Sequence, residues 1–205
     1  MRPRPLGRRD SMVRVDVVTA PTKEPLTLAQ AKLHLRVDAA DEDSLIYGMA
    51  IAARTQIEEL TGRCLMPTTL AAYFEAFPAG RTPLALPRPP LQSVSSVKYW
   101  APGATDYATL DSAKYRVRTF DGATGPPGLV IPLEDWPVTD PAPDAVRIEY
   151  VAGYGNLPEP LLGVLRALLG HAYENREAGV AGTVTATDRI WASALAPFMT
   201  DLEDR

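Results

Sequence analysis

The amino-acid sequence predicts an α+β fold: a helical core of two N-terminal helices and one C-terminal helix, bracketing a small antiparallel β module, with a C-terminal arm. Three observations carry this. Apolar residues recur every three or four positions in residues 26–63 and 158–177, whereas residues 64–157 alternate apolar with polar or run in short apolar blocks. Of the 20 prolines, fourteen lie in residues 78–160 and none in residues 26–66. The 205 residues are 46% hydrophobic and 22% charged, a globular balance long enough for one elaborated domain.

Residues 1–25 read as a flexible N-terminal arm. Four arginines and two prolines fall in its first ten residues, and Met12 is a candidate start because patterned sequence begins only after it. A single connector domain then spans residues 26–177. Thr27 and Gln30 have the spacing of a capping box, and Leu28, Ala31 and Leu35 follow on one face of a short helix ending near Val37. Asp41 is placed to cap a second helix, with Glu42 and Asp43 in its first turn, where the macrodipole favours negative charge. Leu45, Met49, Ala53, Ile57 and Leu60 form its expected buried stripe, and Gly62 its left-handed stop.

The period then changes. Residues 68–75, 84–86, 115–118, 128–131 and 145–151, with a β-prone stretch around Val94, Val97 and Tyr99, predict five or six short strands between Pro/Gly turns. Pro158 and Pro160 suit the first turn of a third helix, whose stripe is Leu161, Leu165, Leu168 and Ala172, with Leu162 and Leu169 beside it. It is expected to end near Glu177. Residues 178–205 read as a tether and an apolar segment. Trp191, Leu195, Phe198 and Leu202 are spaced four, three and four, with Met199 adjacent and Pro197 interrupting. This stripe is too short to be stable alone, so it folds back or docks on a partner; the pattern leaves both open.

Signatures of catalysis are missing. There is no G-x-S-x-G, P-loop, G-x-G-x-x-G or H-E-x-x-H, and His34, His171 and Cys64 are too few for a familiar zinc site. We therefore expect no catalytic centre, no cofactor and no metal. Glu174, three residues after His171, is expected to pair with it on the helix surface. One cysteine forms no intrachain disulfide, and no run of 18 apolar residues predicts a membrane span. A net charge of −4 makes tight gripping of DNA phosphates a poor expectation.

Four stretches in order carry a resemblance: Leu26-Thr27-Leu28-Ala29-Gln30-Ala31-Lys32-Leu33-His34-Leu35-Arg36-Val37, Pro87-Arg88-Pro89-Pro90-Leu91-Gln92-Ser93-Val94, Val146-Arg147-Ile148-Glu149-Tyr150-Val151-Ala152-Gly153-Tyr154-Gly155, and His171-Ala172-Tyr173-Glu174-Asn175-Arg176-Glu177. Together they resemble the head–tail connector, or adaptor, proteins of long-tailed bacteriophages and phage-derived gene transfer agents. The resemblance implies a ring, usually of twelve subunits, below the portal protein. Such a ring extends the DNA channel without binding DNA specifically and presents a platform to the stopper and tail, in the neck of a particle assembled in the bacterial cytoplasm. It also implies that the C-terminal segment reaches the portal, which makes Trp191, Leu195, Phe198, Met199 and Leu202 the expected portal-docking residues, docked outward rather than completing the fold. Two alternatives stand beside it. One is a different tail-completion component, a stopper or terminator. The other is a small carbohydrate-binding or hydrolase domain that stacks ligands on Tyr99, Trp100, Trp136 and Tyr154.

Overall fold

The computed structural model describes residues 14–140, 142–175, 191 and 193–200. Its fold is α+β: antiparallel sheets bracketed by helices towards either end of the chain. Helix α1 spans Leu28–Leu35, α2 Asp43–Thr61 and α3 Glu159–Glu174.

Helix α1 begins as its sequence dictates. Thr27 Oγ1 accepts from the Gln30 N–H at 3.2 Å, and Gln30 Oε1 accepts from the Thr27 N–H at 3.0 Å, so both partners of the box are satisfied. It ends at Leu35, two residues early, because Arg36 turns left-handed at φ 58°.

Helix α2 corrects two expectations. Asp41 does not cap it; the helix starts at Asp43 with Glu42 before it, and Glu42 makes no side-chain cap. The nearby carboxylates serve tertiary partners instead: Tyr173 donates to Glu42, and Lys32 pairs with Asp43 at 2.6 Å. The buried stripe is Ile46, Ala50, Ala53, Ile57 and Thr61, so Leu45 and Leu60 at the ends of the expected stripe face outward, 43% and 45% exposed. The reason is packing: both faces are apolar, but the one bearing Ala50 and Ala53 lets α3 approach closely. Gly62 closes the helix at φ 69°, as expected.

Among the described residues, eight strands form two sheets. The five-stranded sheet contains β1 (Arg14–Thr19), β2 (Thr68–Phe74), β4 (Leu91–Trp100), β5 (Tyr107–Thr109) and β8 (Val146–Ala152), in the order β1-β2-β8-β4-β5. The three-stranded sheet contains β3 (Leu84–Leu86), β6 (Tyr115–Arg118) and β7 (Gly128–Pro132), in the order β3-β7-β6. All pairings are antiparallel. β1 corrects the reading of residues 1–25 as one flexible arm: from Arg14 the chain is an edge strand held by β2, and residues 1–13 lie outside the described residues.

Two cores result. One joins α1, α2 and α3 through Ile46, Ile57, Leu161, Leu165 and Leu169, all fully buried. The other lies between the sheets: Leu70, Phe74, Val97, Val146, Ile148 and Tyr150 face Leu84, Leu86 and Val130. Each large aliphatic side chain so buried contributes about 1.5–3 kcal/mol relative to exposure. The cores are stitched together after β8. Gly153, at φ +126°, crosses so close over Met66 that a Cβ there would lie 2.2 Å from the Met66 carbonyl oxygen.

Candidate functional site

The C-terminal segment, which carries the expected docking residues, meets the body of the chain at the end of α2. The last turn of α2 prepares this junction. Thr61 Oγ1 donates to Ile57 O at 2.7 Å, while the Thr61 carbonyl, at the helix end, has no helical partner. That carbonyl accepts from both the Thr200 N–H, at 3.0 Å, and the Thr200 hydroxyl, at 3.1 Å.

Arg63 sits beside it, only 2% exposed. Its Nε donates to Phe198 O at 2.5 Å and one terminal nitrogen to Gly125 O at 2.9 Å; its other terminal nitrogen, Nη1, is buried without a hydrogen-bond partner among the described residues. A buried guanidinium held by neutral carbonyls is costly unless those carbonyls stay in place. Arg63 therefore ties three segments together: the end of α2, the turn around Gly125 and the C-terminal segment. Tyr154 lies close by and donates to Ala123 O at 2.5 Å; burial pushes its hydroxyl pKa up.

The five expected docking residues separate here. Leu195 and Phe198 are 1% and 5% exposed and belong to the helical core, and Trp191 packs against that core with its ring edge-on to His171, centroids 5.6 Å apart. Met199 is 43% exposed, and Leu202 lies outside the described residues. In the free chain, then, Leu195 and Phe198 complete the helical core, against the expectation of a segment standing clear of the fold. Neighbouring apolar surface of α2 and α3 covers the stripe more cheaply than solvent would. Pro197 sits in a 3-10 turn, Ala196–Phe198, the interruption that its missing N–H imposes. The signal missed in the sequence was Arg63, which composition does not distinguish from a surface arginine.

The other candidates are occupied by structure. Trp136 stacks on Phe77 at 4.4 Å and donates its indole N–H to Thr82 O at 2.9 Å; Tyr99 tilts against Phe77 at 5.8 Å, and Trp100 against Tyr107 at 5.1 Å. These aromatic rings pack on one another within the fold, and Tyr99 and Trp136 also border a small cavity with Lys114 and Glu134. His171 meets Asn175, with Nδ1 3.2 Å from the Asn175 amide nitrogen, rather than the expected Glu174. Cys64 is buried, which pushes its thiol up to about 12. Among the described residues no group of three or more His, Cys, Asp or Glu is placed to hold a metal, and no helix is long and apolar enough to cross a membrane.

No protein-family model and no curated protein matches the chain. Solved structures do. The chain is similar to one in the neck of an empty gene transfer agent (GTA) particle computed with C6 symmetry, with TM-score 0.72 and 23% identity over 91% of this chain and 95% of that one. It is likewise similar to a chain in the neck of the native GTA particle computed with C12 symmetry, with TM-score 0.70, and to one in the virion of the native GTA particle, with TM-score 0.68. Both are 21% identical over 91% of this chain and 95% of theirs. The likeness at this identity is one of fold, and it spans the helical core and the β module alike.

Proposed function

We propose that this chain is a structural, non-enzymatic component of the neck of a phage-like particle, and within the neck the head–tail adaptor: a ring, expected to hold twelve copies, below the portal protein. The observation that carries this reading is the likeness over nine-tenths of the chain to neck chains of GTA particles, the particle class that the sequence motifs independently resembled. Twelve copies at −4 each give a formal ring charge of −48, which suits a channel that DNA traverses without sticking. The segment holding Trp191, Leu195 and Phe198 is committed to its own core, so the portal contact is assigned to Met199 and the residues after it, Leu202 among them. Engaging the full five-residue stripe would require the segment to leave the helical core.

The test is a deletion of the gene in its host. Heads that package DNA but carry no tails, rescued by restoring the chain and crosslinking it to the portal, are the expected result. Tailed particles formed without the chain would overturn the reading. Crosslinks to the tail side alone would replace the adaptor by the stopper.

A further inference from the structure

The five-stranded sheet has an open edge at each end, and the two edges are alike in length. β1 ends the sheet on one side, and among the described residues no strand pairs with its outer edge. On the other side β5 covers only residues 98–100 of β4, and the Leu110 N–H closes on Val97 O, so residues 91–96 have no described backbone partner beyond β8. β1 is six residues long, and so is the open stretch of β4. An open edge with apolar side chains is a template for another strand. On β1, Val17 is 63% and Val18 45% exposed; residues 91–96 of β4 carry no charge.

Direction and face agree as well. β1, β2, β8 and β4 alternate in direction, so a second copy set beyond β4 in the same orientation presents its β1 antiparallel to β4. Val15 and Val17 lie in register with Ala72 and Leu70, on the face towards the inter-sheet core; Val94 and Leu91 lie in register with Tyr150 and Ala152, on that same face. Bulges between Leu91 and Ser93 and between Val94 and Ser96 keep Leu91 and Val94 on one face of β4. Antiparallel pairing within residues 91–96 then sets Val15 beside Val94 and Val17 beside Leu91, with Asp16 beside Ser93 and Arg14 beside Ser96, and leaves Val18 in the bulge at the end of β1. Past Leu91 and Gln92 opens a groove of about 820 Å³, bordered by Phe120, Asp121 and Tyr154, with room for the chain that follows β1.

We propose that β1 of one copy adds to residues 91–96 of β4 in the next, continuing the five-stranded sheet from copy to copy. The partner is a second copy of this chain. The two edges differ, so the contact is heterologous and repeats until a ring closes. This rests on the ring reading above, and the test separates the two. Asp16→Cys and Ser93→Cys, singly and together, are made in the full-length chain and oxidised both free at high concentration and in particles assembled in its host. Only the double variant is expected to give a ladder of covalent oligomers. A ring seen by native mass or imaging without that ladder overturns the strand pairing and leaves the ring standing. A chain that is monomeric when free and absent from particles overturns both. As a second measurement, Val17→Asp should weaken self-association at least tenfold with circular dichroism unchanged; unaltered association overturns the proposal.

Discussion

The helical core and the β module are closed in different ways. Three helices supply most of the first, but its last wall, Leu195 and Phe198, arrives from more than a hundred residues beyond α2 and is fastened by Arg63 and the Thr61 carbonyl. The β module lies within one stretch of chain, residues 68–152, apart from the edge strand β1. Its fastening is distributed: β2, β8 and β4 pair along most of their lengths, and Tyr150 donates to Pro87 O at 2.8 Å across the inter-sheet core. A core closed by one remote segment depends on a few contacts, whereas a core closed by many ladder bonds spreads its risk. Each prediction below tests that contrast.

The largest effect is expected from removing residues 191–205. Leu195 and Phe198 are each worth about 2–5 kcal/mol when a buried site is emptied, and the carbonyl lost from Arg63 adds about 1–3 kcal/mol for a polar group left unmet. The truncated chain should lose several kcal/mol and unfold its helices first, read as a lowered urea midpoint with loss of helical ellipticity. A truncated chain with an unchanged midpoint would show that the segment is an appendage and erase the contrast.

Leu165→Ala comes next. Leu165 is fully buried at the centre of the α3 stripe, and the substitution should cost about 2–5 kcal/mol. Ile148→Ala, equally buried at the centre of the β module, belongs to the same range. If the contrast holds, adding the truncation to Leu165→Ala gives a non-additive loss, because both empty one core, whereas adding it to Ile148→Ala is additive. Equal additivity at both sites would mean that the two cores unfold as one.

These substitutions also show what the sequence disclosed. The α3 stripe was legible because Leu161, Leu165 and Leu168 repeat at helical spacing on a segment with one buried face. The α2 stripe was legible only to within one position, since Leu45 and Ile46 are equally apolar and only the close packing permitted by Ala50 and Ala53 chooses between them. β1 escaped because, at the sheet edge, only Val15 packs on the core and the strand buries too little to stand out, and β5 because three residues make no pattern. Arg63 escaped for another reason: its role depends on the carbonyls of Phe198 and Gly125, which no local pattern brings to it.

A smaller effect is expected from Tyr150→Phe. It removes only the hydroxyl that reaches Pro87 O, keeping the ring between the sheets. One lost hydrogen bond with a buried carbonyl left behind costs about 1–3 kcal/mol, and the loss should appear in the urea midpoint without change in the slope. The hydroxyl's pKa is raised by burial, so the folded state keeps it protonated where the unfolded chain would ionise it. Its contribution is therefore complete below pH 10, the ordinary tyrosine value, and is lost as pH rises above it. Wild type and Tyr150→Phe should then differ less in stability at strongly alkaline pH than at neutral pH. A constant difference would mean that the hydroxyl ionises alike in both states.

The smallest effect is expected at the start of α1, where a local cap adds to the packing of Leu26 and Ala31 in the helical core. Thr27 and Gln30 satisfy one another's backbone N–H groups on the exposed surface, and neither reaches across to another element through the box. Thr27→Ala removes one half of the box and should cost about 0.5–2 kcal/mol, near the lower end because water reaches the orphaned N–H. Gln30→Ala removes the other half and should cost less, since the Thr27 oxygen still accepts from the Gln30-position N–H. The double variant should cost no more than the sum of the two, because the reciprocal bonds share one turn. The contrast sharpens through where the loss appears. A local cap should raise amide exchange in α1 while leaving α3 and the C-terminal segment protected. Exchange that rises equally across α1, α2 and α3 would show that the helical core opens only as a whole, so that even its first turn feels the remote segment that closes it.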